Sequence, residues 1–117
     1  MYKDVITAVI KRYGLKCRII PKNEGREFYA YGFIEPLNHK SRYTSGGEFS
    51  TDGYLDGGYS LFIGEARCRT DLIGYGSEIE YDGQKYILMH GDLYYKSKQP
   101  LYSRAILKKV SGGGIDE

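Results

Sequence analysis

The pair Asp82-Gly83 constrains this chain more than any other local feature. It stands between two runs in which apolar and polar residues alternate, Glu78-Ile79-Glu80-Tyr81 before it and Gln84 to His90 after it. A two-residue connection between antiparallel strands needs positive φ at both central positions, which Asp tolerates and Gly adopts without steric cost. The spacing therefore predicts a β-hairpin. An isolated hairpin is marginal in water, so its partners must come from the rest of the chain.

Alternation recurs elsewhere. Cys17 and Ile19 alternate with Lys16, Arg18 and Ile20 in a strand that ends at Pro21, and Asn23-Glu24-Gly25 forms a turn. Arg26 to Glu35 continues as a long strand, with Phe28, Ala30, Gly32 and Ile34 on one face and Tyr29, Tyr31 and Phe33 on the other. Both faces are apolar enough to predict a strand covered on two sides. Tyr59 to Cys68 alternates again, Thr70 to Gly76 is a bent excursion, and Leu101 to Val110 is the last strand. Before all of these, Val5, Ile6, Val9, Ile10 and Tyr13 fall on one helical stripe, which predicts a helix over Asp4–Tyr13, about 15 Å long and closed by a left-handed Gly14. So short a helix must dock on something.

Leu37 to Gly58 shows no period. Inserted loops of this length are usually functional or disordered. Ordering the backbone of 22 residues costs on the order of 20 kcal/mol. The apolar side chains available there, Leu37, Tyr43, Phe49, Tyr54 and Leu55, are too few to offset that alone. They are the expected assembly contacts, covered by a neighbouring subunit or partner. Folded as a hairpin, each half of the insertion would reach about 35 Å.

With 117 residues, a formal charge of +2, sixteen Gly, thirteen Tyr and no Trp, the chain fits one small β-rich domain. A single open sheet would leave edges exposed, and closure removes them. The expected fold is mainly β, a small partly closed β-barrel over residues 1–110 with one N-terminal α-helix and the long insertion, followed by a flexible tail over 111–117. No apolar run approaches the length of a membrane-spanning helix, and Met1 to Asp4 leads into an amphipathic segment rather than a signal core. Cys17 and Cys68 have no metal-like spacing and read as small apolar residues within strands, although a bridge between them is compatible with the sequence.

Catalytic and ligand motifs fail one by one. Gly74-Tyr75-Gly76 has Ile79 where a dinucleotide fingerprint needs a third Gly, and a strand rather than a helix follows. Asp52-Gly53 and Asp56-Gly57 resemble calcium-loop turns, but Ile63 stands where the bidentate Glu belongs. His39 and His90 have no second ligand at a metal spacing, and no nucleophile elbow accompanies His39, Ser41 and Asp52. Glu78 and Glu80 share a strand face beside a tight turn, where a solvated pair is the better account than a catalytic one. No catalytic, metal or cofactor site is expected.

Charge is unevenly spread. Met1 to Glu27 holds seven basic and three acidic residues, and Tyr94 to Val110 holds Lys96, Lys98, Arg104, Lys108 and Lys109 with no acid. Basic strands interleaved with Tyr permit an OB-like module that binds single-stranded nucleic acid. Solvated edges that discourage strand pairing account for the same pattern.

Within Tyr59–Leu107 the chain reads SLFIGEARCRTDLIGYGSEIEYDGQKYILMHGDLYY from Ser60 to Tyr95 and LYSRAIL from Leu101 to Leu107. The polar entry Arg69-Thr70-Asp71, the hairpin with Asp82-Gly83-Gln84-Lys85-Tyr86 and the closing Tyr102-x-x-Ala105 strand resemble the XkdH-like head–tail joining proteins of PBSX-type defective prophages. With the N-terminal helix, the similarity covers nearly the whole chain. The resemblance implies a non-enzymatic virion protein of the head–tail connector, or neck, of stopper or head-completion type. It also implies ring assembly with copies of itself, contact with portal-side adaptor and tail proteins, and passage of DNA through the ring without sequence recognition. The implied places of work are the bacterial host cytoplasm during assembly and the virion neck.

Overall fold

The computed structural model describes residues 2–23, 25–37, 44–45, 49–50 and 58–110. Helix α1 (Tyr2–Tyr13) leads directly into β1 (Leu15–Ile20), followed by β2 (Phe28–Pro36), the short β3 (Thr44–Ser45) and β4 (Phe49–Ser50), and then β5 (Tyr59–Glu65). A 3-10 turn over Ala66–Cys68 precedes β6 (Glu78–Tyr81), β7 (Gln84–Lys96) and β8 (Gln99–Lys109). Six strands close a barrel in the order β1-β2-β5-β8-β7-β6. All of its pairings are antiparallel. The barrel is two three-stranded meanders, β1-β2-β5 and β6-β7-β8, joined third strand to third and first strand to first. Where partial closure was expected, the β1–β6 pairing completes the ring.

The expected alternation sets the inside and outside. Cys17, Ile19, Ala30, Phe62, Ile79, Leu88, Ala105 and Leu107 fill the lumen together with Cys68 and Ile73. The Phe62 ring is fully buried and lies across Gly32 and Gly64, which face each other in the β2–β5 ladder. A Cβ on Gly32 would sit 2.5 Å from Phe62 Cε1, and one on Gly64 would sit 2.6 Å from Phe62 Cε2. Both glycines are there for the space. A smaller cluster, Leu37 with Leu61 and Ile106, is bordered by Tyr59, Ile63 and Met89. Its β5 and β8 members have the opposite parity to Phe62 and Leu107 and stand on the outer wall.

Asp82 and Gly83 have φ of 51° and 80°, the positive values the hairpin required. The following strand runs beyond the expected His90 to Lys96, because a bulge between Leu88 and His90 resets its alternation. A second two-residue turn joins β7 to β8, with Ser97 at φ 50° and Lys98 at φ 68°.

Two local expectations need correction. Gly14 is absent from the positive-φ residues. Its N–H donates to Ile10 O at 2.8 Å, and a Cβ there would lie 2.5 Å from Ile10 O and 3.0 Å from Gly32 O, so close approach rather than handedness requires glycine. Cys68 ends the 3-10 turn instead of a strand, since β5 stops at Glu65. Within the insertion, β3 and β4 pair antiparallel, Thr44 with Ser50 and Ser45 with Phe49.

The packing of Phe62 generates a prediction. Gly64→Ala should destabilise the domain by about 1–3 kcal/mol, as overpacking does. Combining it with Phe62→Leu should cost less than the sum of the two single changes, because the smaller side chain frees the space. Urea unfolding of the four variants of this cycle checks it; strict additivity would show that the ring and the glycine are independent.

Candidate functional site

The antiparallel order sorts the connections to the two barrel ends. One end carries the α1–β1 junction, the insertion between β2 and β5, and the Asp82-Gly83 turn. The other carries the β1–β2 loop, the long β5–β6 connection and the β7–β8 hairpin.

At the first end, Leu37 N–H donates to Tyr59 O at 2.9 Å, and the Leu37 side chain is buried against Leu61 and Ile106. The single chain already covers it. Of the other expected assembly contacts, Tyr43, Tyr54 and Leu55 lie outside the described residues, and Phe49 opens β4. His39 and the Asp52-Gly53 and Asp56-Gly57 pairs also lie outside them.

Helix α1 packs mainly on β8 and also on β2 and β5. Only part of its apolar stripe turns inward: Ile10 is buried, whereas Val5, Val9 and Tyr13 are 60%, 46% and 66% exposed. Those three recur at four-residue intervals and form a row on the outer face of the helix. Arg12 lies over the Tyr13 ring at 5.6 Å. Periodicity identified the stripe but not its division, because the docking surface is narrower than the stripe.

The second end is built on buried polar groups. As β5 leaves β2 after Gly64, two backbone groups of β2 lose their ladder partners. The Glu65 carboxylate, in a residue only 2% exposed, accepts the Tyr31 N–H at 2.7 Å, and Arg67 donates to Tyr29 O at 2.6 Å. Arg67 Nε also donates to Glu65 Oε1 at 3.2 Å, which closes the clamp. Further along the connection, the Thr70 hydroxyl lies 3.0 and 2.8 Å from the carbonyls of Asp92 and Arg104, which share its one proton. Ser77 Oγ donates to the carbonyls of Ile73 and Gly74 and accepts the Lys22 N–H at 2.8 Å. The connection is thereby fixed across the lumen and holds the β1–β2 loop.

Beyond Tyr102, β8 has no β5 partner, and beyond Ile87, β7 has no β6 partner. The outer part of the β7–β8 hairpin is therefore a two-stranded arm. Tyr94 and Tyr102 stack on it with centroids 4.9 Å apart and planes 13° apart. Pro100 stands opposite Tyr95 and offers no N–H to a passing strand.

The basic run from Tyr94 to Val110 does not form one patch. Lys96 and Lys98 lie on the arm, Arg104 pairs with Asp92 at 3.4 Å, and Lys108 lies over the Tyr59 ring at the first end. Glu78 and Glu80 flank Lys85 at 3.7 and 3.6 Å, and Arg18 bridges Glu80 and Glu27 across the outside of β1 and β6. The Arg18 hydrogen bond holds the Glu27 carboxyl below the usual carboxylate range. This is a surface charge ladder. His90 is exposed on β7 opposite Ile106.

Cys17 and Cys68 are both free and buried in the same core cluster. Burial pushes the Cys17 thiol up to about 11 and the Cys68 thiol up to about 12. Among the described residues, no three of His, Cys, Asp and Glu gather closely enough to hold a metal ion, and no helix is long and apolar enough to cross a membrane.

No family model matches the chain, and neither the curated proteins nor the solved structures provide a match.

Two predictions follow from these buried groups. Glu65→Ala leaves the Tyr31 N–H and the Arg67 Nε–H without their acceptor, although Arg67 keeps Tyr29 O, and should cost about 1–3 kcal/mol in urea unfolding, whereas Glu65→Gln, which keeps an acceptor, should cost less. The thiols remain protonated in the folded state while those of the unfolded chain ionise near pH 9. Their contribution to stability is complete below that pH and is lost as pH rises towards 11–12. Unfolding midpoints from pH 8 to 11 should therefore fall more steeply for the native chain than for a Cys17→Ala/Cys68→Ala variant, and iodoacetamide should label neither thiol at pH 8 until the chain unfolds.

Proposed function

We propose that the chain is a non-enzymatic assembly module of a phage or prophage head–tail connector, of stopper or head-completion type, which acts by building a ring. The observation that carries this reading is the outward row Val5, Val9 and Tyr13 on α1. A helix that docks through Ile10 leaves this row uncovered on an otherwise well-filled barrel. Covering such side chains fully contributes about 1.5–3 kcal/mol each before the losses of association. Two such rows packed on each other would give a two-fold dimer; the ring reading instead has the row meet a different surface of the next copy, a head-to-tail contact that closes when the rotation between subunits permits.

The resemblance over Tyr59–Leu107 supports the same direction and supplies the setting: a neck layer between portal-side and tail proteins, formed in the host cytoplasm, with DNA passing through without sequence recognition. Tyr43, Phe49, Tyr54 and Leu55 of the insertion are the second set of proposed contacts. The alternative, an OB-like module working on single-stranded nucleic acid, rests on the chemistry of the β7–β8 arm.

The test is a Val5→Glu/Val9→Glu variant in the phage or prophage that carries the chain. Both positions are exposed, so the melting temperature of the purified variant should stay within a few degrees of the native chain. Electron microscopy of lysates should then show heads and tails that fail to join. Joined particles at the native frequency would refute the assembly role of the row.

A further inference from the structure

The second barrel end combines exposed aromatic rings with positive charge in a way that the assembly reading does not use. Tyr75, on the β5–β6 connection, is 70% exposed, and Tyr95, on the arm, is 50% exposed. Tyr94 is also exposed and is held flat by its stack on Tyr102. Between Leu93 and Val110 the chain has no acidic residue; Lys96 ends β7 and Lys98 is the second residue of the hairpin turn. The acids nearest the arm are matched by arginines of the same region: Asp71 binds Arg69 at 2.8 Å and Asp92 binds Arg104 at 3.4 Å. Arg69 also lies within electrostatic reach of Tyr95. On the same end, the β1–β2 loop carries Lys22 and Arg26 together with Glu24 and Glu27 and adds no net charge, so the positive charge of the site is that of the arm.

The geometry points to the β7–β8 arm as a binding site for single-stranded nucleic acid, with bases stacking on Tyr95 and on the open face of Tyr94 and phosphates held by Lys96 and Lys98. Three features select this ligand. Lysine is depleted in protein–protein interfaces, which disfavours a protein partner for a tip carrying two of them. Exposed tyrosine faces suit unstacked bases, whereas a duplex hides its bases from such rings. The Ser97–Lys98 turn is only two residues long, and the Tyr94–Tyr102 stack fixes its base, so the rings are presented with little ordering left to lose. The inference is independent of the ring proposal, since it uses none of the residues on α1 or in the insertion.

The test is fluorescence anisotropy of a labelled 20-nucleotide oligo-dT with the full chain between 50 and 200 mM NaCl. Two phosphate contacts on a single strand give a salt slope of about −1.4, so affinity should fall about sevenfold over that range. Lys96→Ala/Lys98→Ala should flatten the slope. Tyr95→Ala should weaken binding about fivefold or more at every salt concentration, and Tyr95→Phe, which keeps the ring, should restore it. Circular dichroism melts of each variant should match the native chain, because the changes lie on the exposed arm. The proposal is overturned by absence of binding at 100 μM chain and 50 mM NaCl, by binding that the arm variants leave unchanged, or by equal affinity for a duplex of the same length. It is also overturned if Tyr95→Ala is neutral while the lysine changes are not, which would indicate a generic anion site. None of these outcomes bears on whether Val5 and Val9 are needed for joining heads to tails.

Discussion

The ring of Phe62 decides how this barrel closes. A six-stranded barrel has a narrow interior, and here one aromatic side chain spans it against Gly32 and Gly64. Each glycine weakens its strand by about 0.5–1 kcal/mol relative to alanine, because it has more backbone freedom to lose. Burying the ring contributes about 1.5–3 kcal/mol, so the exchange is favourable even with two glycines. Phe62 faces Ala105 in the β5–β8 ladder, and Ala105 in turn faces Gly91 on β7. Gly91 is small for a different neighbour: a Cβ there would meet the backbone of Thr70 rather than the ring. Gly32 and Gly64 thus set how near β2 and β5 come under the ring, and Gly91 how near the β5–β6 connection comes to β7.

Where the strands part from this frame, side chains take over the role of the backbone ladder. Glu65, Thr70, Ser77 and Ser103 are buried polar residues, and each bonds a main-chain group at the second barrel end. Ser103 Oγ donates to Ala66 O at 3.2 Å, which places the start of the β5–β6 connection over β8. A buried donor or acceptor left without a partner costs about 1–3 kcal/mol, so the connection is held in place rather than draped over the opening. That rigidity is what allows Tyr75 and the β7–β8 arm to be displayed in a fixed relation.

Much of the fold was legible in the sequence because it follows from a period of two. The inward faces of β1, β2, β5 and β8, and the Asp82-Gly83 turn, all follow from alternation and turn chemistry. The second turn was not legible, because Ser97 and Lys98 adopt left-handed backbone without the usual Asn or Gly. The bulge after Leu88 hid the outer half of β7, since Met89 and His90 break the alternation that would have announced it. Glu65 reads as an outward polar residue by parity, and only the departure of β5 from β2 explains its burial. The surface regions were the least legible. Periodicity marks Val5, Val9 and Tyr13 as apolar without saying whether the domain is wide enough to cover them. The basic run ending at Val110 is continuous in sequence yet divided between two ends of the barrel.

The two seams that join the meanders differ in length. β5 and β8 pair along Tyr59 to Glu65, while β1 and β6 pair only along Arg18 to Ile20. The short seam carries Ile19 against Ile79 inside and the Arg18–Glu80 ion pair outside. Exposed ion pairs contribute little, but the β1–β2 loop lengthens this seam: Lys22 N–H donates to Ser77 Oγ at 2.8 Å and Asn23 N–H to Ile73 O at 2.9 Å. The two meanders are thus tied unevenly: a seven-pair ladder on one side, and on the other a three-pair ladder that is finished by loop-to-loop bonds.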